Sequence, residues 1–291
     1  MTSLSSGIAP VPTKAQTKRR RNKRTMSILR VVGILMITAL WLLPVLWISA
    51  TAFKLPEDVI SLEIFFTPTL DNFAKALGPN YQLGDRIWNS IIVTAGTLLV
   101  AIPSSTAAAY AFSRFRFPGG MIWPIGLLAT QFVPAVMIII PMFIFFRSLG
   151  LLDTPWALIL VNLSVVVPYA IWMIKGFMDA LPMDMEEAAM IDGASRFRAL
   201  IDVVIPVAMP GIITATIFCF VVTWNEFFYA LILTSSDSVT LPVSLMGART
   251  DKGDEWEVMA VIGLTIMVPM MLISRIVQRH FLQGLTAGAV K

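Results

Sequence analysis

Few residues in this sequence have the types and spacing that chemistry requires. The single cysteine, Cys219, and the single histidine, His280, provide neither an intrachain disulfide nor a pair of soft metal ligands. No lysine follows a glycine, so the nucleotide-binding phosphate loop is absent. Glu226 is the one carboxylate deep within a long apolar stretch. An intramembrane carboxylate indicates a functional group, and the alternative is a structural hydrogen bond to a neighbouring helix.

Long apolar stretches must position these residues. The chain of 291 residues is 57% hydrophobic, with a mean hydropathy of +0.78, which exceeds what a soluble domain buries. A hydrocarbon core of about 30 Å requires roughly 20 apolar residues per helix. We therefore predict an all-α integral membrane protein with six transmembrane helices, near 28–50, 88–112, 121–147, 155–178, 207–233 and 257–278.

The N-terminal segment 1–27 is predicted to be disordered and basic, with a basic run at 18–24. The apolar stretch from Ile28 to Phe53 is twice as long as the core of a signal peptide and lacks a small-residue cleavage site. We interpret it as a retained first span. Because the basic run adjoins this span, it indicates membrane topology rather than nucleic-acid binding.

The distribution of positive charge predicts the orientation. Six spans place both termini on one side, and sixteen of the 22 Lys and Arg residues fall on that side. Positive residues accumulate in cytoplasmic loops. We therefore expect cytoplasmic termini, and we expect the loops 54–87 and 234–256 to lie outside.

The spans contain prolines that should bend them, at Pro44, Pro103, Pro134, Pro141, Pro168 and Pro269. Such bends suit helices that line a path, although kinked helices that only pack are also common. Polar and aromatic residues at membrane depth are the candidates for a substrate pathway: Asn162, Tyr169, Trp224, Asn225 and Glu226. A path with so little fixed charge favours a neutral polar solute over an ion.

The chain also lacks the several buried carboxylates and the repeated halves expected of a proton- or sodium-driven carrier. Without a nucleotide site of its own, it would have to obtain energy for uphill transport from a separate protein.

The loop 179–206 after the fourth predicted span has the pattern of two short helices. Pro182 can begin the first helix, and Gly193 is placed to end it. Ser195 can cap the second helix, which should stop at Pro206. This element is too amphipathic to span and should lie at the cytoplasmic membrane surface. It is predicted to be either a docking site for a partner or a plain interfacial connector.

The sequence of this loop carries a family resemblance. Glu187-Ala188-Ala189, followed by Gly193 and then by Val203-Val204-Ile205-Pro206, resembles the Glu-Ala-Ala loop of binding-protein-dependent ABC importer permeases. Four other stretches resemble the smaller permease subunit of the carbohydrate, maltose-type importers: Asn89-Ser90, 109–119, 224–227 and the end 278–291.

The resemblance implies a role for each matching segment. In that family the first helix of the loop is a coupling helix that sits in a cleft of an ATPase subunit. The tail reaches between two ATPase subunits, and an outer loop, here 235–256, inserts toward the sugar in the binding protein. The implied coupling residues are Glu186, Glu187, Ala188, Ala189, Asp192, Gly193 and Pro206, and the implied tail contacts are Gly284, Leu285, Thr286 and Lys291.

The chain is thus expected to have a permease domain at 28–283 and a cytoplasmic tail at 284–291, in a bacterial or archaeal inner membrane. The implied partners are a second homologous permease, two ATPase subunits that bind ATP and magnesium, an extracytoplasmic binding protein, a sugar-like solute and membrane lipid. The chain itself should hold no cofactor and bind no nucleic acid. The alternatives are an autonomous secondary carrier and a non-transporting membrane scaffold or sensor.

Overall fold

The protein is described by a computed structural model that covers residues 14–61, 63, 65–116, 118–120, 122–250 and 253–288. Side chains are described for the residues of these ranges from Met26 to Arg275, except for Ile28. The chain is mostly helical over these ranges, as predicted. The helices are α1 Lys14–Thr51, α2 Asp71–Leu77, α3 Leu83–Arg114, α4 Ile122–Ala129, α5 Ala135–Ser148, α6 Pro155–Asp179, α7 Asp184–Ile191, α8 Arg196–Ala199, α9 Ile205–Trp224, α10 Phe228–Leu233, α11 Leu241–Gly247 and α12 Trp256–Gly288. The strands β1 Arg249–Thr250 and β2 Gly253–Asp254 pair antiparallel.

The chain forms two compact units, 1–51 and 52–291. Helix α1 is the described part of the first unit, and its stretch Leu29–Thr51 is long and apolar enough to cross a membrane. The helix already begins at Lys14, so the prediction of disorder is wrong for residues 14–27. Lys, Arg and Gln are good helix formers, and here they precede an apolar helix without a break. The rest of the segment predicted to be disordered lies outside the described residues.

Five of the helices that the structure describes are long and apolar enough to span a membrane, and a sixth span results if one bent pair is counted as one. The pair consists of α4, which a 3₁₀ turn extends over Thr130–Phe132, and α5, and the two helices meet at 92°. The prediction of one bent helix over 121–147 is therefore wrong at its centre. Pro134 has no N–H and holds Val133 in an extended conformation, with ψ of 120°, so the helix stops and a new one starts at Ala135.

The helices α3, α6 and α9 form the core of the second unit. Helix α6 packs against both of the others, and small residues permit close approach. A Cβ added at Gly96 would lie 2.7 Å from Ile159 Cδ1, and one at Gly211 would lie 2.3 Å from Phe177 Cγ. The bundle of α3, α6 and α9 has two ends. At one end α3 and α6 finish and α9 begins, and we call it the α7 end because α7 lies in the loop there. The opposite end carries α10 and α11.

At the opposite end, the segment 234–240 is held by Asp153 in the α5–α6 connection. The Asp153 carboxylate accepts hydrogen bonds from the backbone N–H groups of 235–238 and from the hydroxyls of Ser235 and Ser236, at 2.7–3.1 Å. The Asp153 backbone has φ of 57°, a left-handed conformation, which aims the carboxylate at this segment. Helix α3 holds the same segment through Asn89 Nδ2, which donates to the Asp237 and Val239 carbonyls.

A charged cluster joins α2 to the start of α12. Lys75 Nζ lies 2.6 Å from Glu255 Oε2 and 3.1 Å from Glu257 Oε1, and the Tyr81 hydroxyl donates to Glu255 Oε2 at 2.5 Å. The hydrogen bond to Glu255 raises the pKa of Lys75. Burial alone would raise the pKa of Glu255, but hydrogen bonds from Lys75 and Tyr81 lower it. Burial and the bond to Glu255 raise the pKa of Tyr81 to about 12.

The pKa shifts of Glu255 and Lys75 predict how the effect of Glu255→Gln on stability changes with pH. The lowered pKa of Glu255 means that its stabilisation is present above about pH 4.3 and is lost as pH falls through the folded pKa. The raised pKa of Lys75 means that the stabilisation by its ammonium group is present below about pH 10.4 and is lost as pH rises through the folded pKa. We expect thermal unfolding to show a loss of at most about 1 kcal/mol near pH 7, because the Lys75 side chain is 41% exposed to screening solvent.

The control for this measurement is Glu57→Gln, because Glu57 is exposed in the segment before α2. Its effect on stability should be small at every pH. An equal loss for Glu255→Gln at pH 3 and at pH 7 would show that the cluster does not stabilise the protein through charge.

Candidate coupling loop and transport path

The first helix of the loop, α7, has the predicted start and end. The backbone N–H groups of Glu186 and Glu187 donate to the Met183 carbonyl at 3.0 and 3.1 Å, and three acidic residues occupy the first turn, where the helix dipole is positive. At the other end the Gly193 N–H bonds to the Met190 carbonyl, and the next N–H bonds to the Ala189 carbonyl. Gly193 has φ of 93°, as this type of helix ending requires. Gly193 therefore ends the first helix where the sequence predicted.

The second helix starts as predicted but does not stop at Pro206. Ser195 Oγ accepts the Arg198 N–H at 3.3 Å, which caps α8. A π-helical turn, Leu200–Val204, then continues into α9. The Ile205 N–H bonds to the Leu200 carbonyl five residues back, as in a π-helix. A proline disrupts the regular α-helical turn before it, and here a π-helical turn stands in that place, so the helix continues through Pro206. The loop is therefore continuous with the fifth span.

The two neighbouring glutamates of α7 point in different directions. Glu187 and Ala188 are exposed, and so is Ile191, at 85%. Ala189 is partly buried, whereas Glu186 is buried. Successive residues of an α-helix are separated by about 100° around its axis. The structure therefore separates the predicted coupling residues into an exposed set that includes Glu187 and Ala188, and Glu186, which faces the protein interior.

Glu186 contacts two residues of α3 that the sequence reasoning did not identify as functional. The Tyr110 hydroxyl donates to Glu186 Oε1, and Arg114 Nε lies 3.2 Å from Glu186 Oε2. Arg114 Nη2 also donates to the Leu181 carbonyl, just before α7, at 3.3 Å. Tyr110 and Arg114 were visible only as part of the family-like stretch 109–119. No spacing rule connects them with Glu186, which is 72 residues from Arg114.

Two candidates for the transport path lie in the helix core. Asn162 is 1% exposed, and its amide donates to the Leu158 carbonyl within α6. Tyr169 is partly buried and packs edge-on against Phe218, with ring centroids 5.4 Å apart. Neither side chain lines the groove described below.

The fifth predicted span is interrupted at Asn225–Phe227, between α9 and α10. The Glu226 carboxylate accepts the N–H groups of Tyr229 and Ala230 at 2.7 and 3.0 Å, so it caps the start of α10. This is a structural hydrogen bond, and it corrects the idea of an unbroken helix over 207–233. The bond is made to the following helix of the same chain, and not to a neighbouring span.

The buried Trp224 side chain connects α9 to α12. Its indole Nε1 donates to the Ile266 carbonyl at 3.1 Å. Ile266 lies three residues before Pro269, which lies inside α12 and has no N–H to donate within the helix.

Asn225 is the one predicted pathway residue that lines a described cavity. This open groove of about 480 Å³ runs beside α12 and is rich in methionine, and its walls are formed by Asn225, Ile266, Met267, Met270, Met271, Ser274 and Arg275. Asn225 Nδ2 donates to the Val221 carbonyl at 2.8 Å and lies 3.6 Å from Met270 Sδ. The groove therefore combines a flexible apolar wall with a few polar groups.

The predicted tail does not form a separate segment as far as it is described. The backbone of α12 continues as a helix through Gly284, Leu285 and Thr286 to Gly288. The side chains of these residues, and all of Lys291, lie outside the described residues.

The comparisons with known proteins identify the class. Residues 101–287 match the family described as the binding-protein-dependent transport system inner membrane component. The chain is 34% identical over 253 residues to the probable ABC transporter permease protein y4oR of Sinorhizobium fredii, covering 86% of this chain and 91% of the relative. It is 29% identical over 268 residues to the trehalose/maltose transport system permease protein MalG of Thermococcus litoralis, covering 91% and 96%.

A solved structure shares the fold. The crystal structure of a bacterial ABC transporter that imports the acidic polysaccharide alginate contains a chain with a TM-score of 0.71 and 22% identity, and the alignment covers 94% of this chain and all of that one. This chain therefore belongs to the family of inner membrane permease components of binding-protein-dependent ABC transporters. It is a multi-pass transport subunit, and it is not an enzyme.

Proposed function

We propose that this permease subunit carries a sugar or sugar derivative, delivered by an extracytoplasmic binding protein, at the expense of ATP hydrolysed on separate subunits. The trehalose/maltose relative supports a carbohydrate solute. The groove beside α12 supports it as well, because it contains an amide, a hydroxyl and one guanidinium among methionines. Such a wall can hydrogen-bond a neutral polar molecule without binding it tightly.

The observation that carries the coupling role is the exposed face of α7. Glu187 offers a negative charge to a cation on a partner, and Ala188 beside it allows close approach because its side chain is small. Ile191 adds an apolar contact at the end of the same helix. A short helix with this face, ended by the Gly193 turn, suits a cleft in an ATPase subunit, and ATP with magnesium would bind there and not to this chain.

The proposal includes the other partners that the family resemblance implies. The groove beside α12 would face a second homologous permease, and two ATPase subunits would lie at the α7 end of the bundle. Both termini would then be cytoplasmic, with the tail residues 284–291 near the ATPase pair. The loop 235–256 at the opposite end would lie near the binding protein.

Reconstitution tests the proposal. The chain should be placed in vesicles alone, then with its co-purifying partners, and finally with the binding protein and ATP. We expect uptake of a radiolabelled sugar only from the complete mixture, and resistance to uncouplers. Uptake by the chain alone that collapses with an uncoupler would contradict the proposal.

We expect Glu187→Gln to reduce ATP-driven uptake by roughly 10-fold, because it leaves a partner cation without its carboxylate. The amount of folded chain in the membrane should not change, since Glu187 is exposed. The matched control is Asp202→Asn, which removes an exposed carboxylate of the same loop that pairs with Arg198 at 3.7 Å. Wild-type uptake by the Glu187 variant would show that Glu187 does not contact the ATPase.

A further inference from the structure

The contact between Glu186 and α3 is unusual because it is an ion pair withdrawn from solvent. The side chains of Arg114 and Glu186 are 6% and 7% exposed. Arg114 holds α7 at two places, since its Nε contacts the Glu186 carboxylate while its Nη2 donates to the Leu181 carbonyl in the preceding connection. The Tyr110 hydroxyl occupies the other carboxylate oxygen. We call Tyr110, Arg114 and Glu186 the α3–α7 triad.

Apolar residues enclose the triad. Tyr110 belongs to a buried cluster with Met178, Val204 and Ala208. The remaining space beside Arg114 and Glu186 is about 10 Å³, lined in part by Met185 and by residues of the π-helical turn. This volume is about the smallest that admits a water molecule. Water therefore does not replace these contacts easily, and separating the two side chains would remove the ion-pair partner of each buried charge.

The other end of α3 also makes specific contacts. The Ser90 hydroxyl accepts a hydrogen bond from the Leu241 N–H at 2.8 Å. The Asn89 amide donates hydrogen bonds to the backbone carbonyls of residues 237 and 239. The helix has 32 residues and a length of about 48 Å, so it extends from α7 to the loop at the opposite end. A displacement of α7 that is passed to α3 would therefore reach that loop.

We propose that the α3–α7 triad is the connection through which movement of α7 is passed to α3, with Glu186 and Arg114 as positioning residues. The inference rests on the proposed function, in which an ATPase moves α7. Glu187 would contact the ATPase, and Glu186 would transmit the movement inward. If the triad only stabilised the fold, its mutation would change the amount of assembled transporter. If it transmits movement, its mutation changes how much solute enters per ATP hydrolysed.

The test measures that ratio in vesicles that contain the complete transporter. We expect Glu186→Gln, which keeps the shape but removes the charge, to lower the solute imported per ATP by roughly 10-fold. Tyr110→Phe removes one hydroxyl and should lower the ratio by roughly 3-fold. Asp202→Asn is the matched control and should keep the wild-type ratio, because its exposed pair with Arg198 contributes little.

Each outcome decides between the alternatives. A lower ratio in both variants, with normal assembly, supports the proposal, and wild-type ratios in the assembled variants overturn it. If Glu186→Gln does not assemble, Tyr110→Phe decides alone, since it disturbs the fold least. If the wild-type complex itself shows no ATP-driven uptake, the proposed function is wrong. That result differs from a wild-type complex that transports and triad variants with wild-type ratios, which would contradict only the role of the triad.

Discussion

Replacing Gly193 with proline is expected to uncouple ATP hydrolysis from uptake while leaving the membrane helices folded. Proline fixes φ near −65°, whereas Gly193 has φ of 93° and donates its N–H to the Met190 carbonyl at 3.1 Å. The mismatch and the lost bond should cost about 3 kcal/mol locally. A cost of this size shifts the population of the α7–α8 turn by roughly 100-fold. ATP-driven uptake in reconstituted vesicles should therefore fall by at least roughly 10-fold.

Gly193→Asn is the matched control for this experiment. Asparagine adopts left-handed conformations more readily than other residues with a side chain, and a Cβ at this position would meet no atom within 4 Å. We expect it to keep much of the uptake. A normal uptake rate for Gly193→Pro would show that the geometry of this turn is not needed for coupling.

Asp153→Ala is expected to destabilise the opposite end of the bundle by about 2 kcal/mol, because the variant removes the charged acceptor of the donors of 235–238, of which only Ser238 is buried. Alanine at φ of 57° adds backbone strain. Thermal unfolding in detergent, followed by tryptophan fluorescence, measures the loss. Asp153→Gly relieves the strain but not the missing acceptor, so the difference between the two variants isolates the backbone contribution.

The pH dependence provides a second check. Burial alone would raise the pKa of Asp153, but hydrogen bonds from the backbone of Ser238, Asp237 and Ser235 and from the Ser235 hydroxyl lower it well below its usual range. The stabilisation is therefore present above about pH 3.9 and is lost as pH falls through the folded pKa. The wild type and Asp153→Ala should differ fully at pH 7. Asp85→Asn, which changes an exposed carboxylate in the first turn of α3, should have little effect.

Hydropathy predicted the number and approximate positions of the spans because apolar length is a local property of the sequence. It did not predict where two of them break. Pro134 stops a helix, whereas Pro103, Pro168 and Pro269 lie inside continuous helices. The same residue type gives both results, since the outcome depends on whether neighbouring groups satisfy the freed backbone atoms. That information comes from packing and cannot be read from the proline alone.

The coupling loop shows the same limit at the level of single side chains. The helix starts, the glycine turn and the Ser195 cap depend on residues within one or two turns, and all were predicted. Which of Glu186 and Glu187 faces the protein interior was not predicted, because Tyr110 and Arg114, the partners of Glu186, are far away in the sequence. Glu226 is similar: its depth was evident from the sequence, but its role as a cap required the position of the break at Asn225–Phe227.

The hydrogen bond from Trp224 to the Ile266 carbonyl has a consequence for how this family varies. The acceptor belongs to the main chain, so every amino acid at position 266 provides it. A substitution at position 266 therefore keeps the hydrogen bond from Trp224, and no compensating substitution is required at position 224. Correlated substitutions between positions 224 and 266 should therefore be weaker than those between the side chains of α9 and α12 that pack directly against each other.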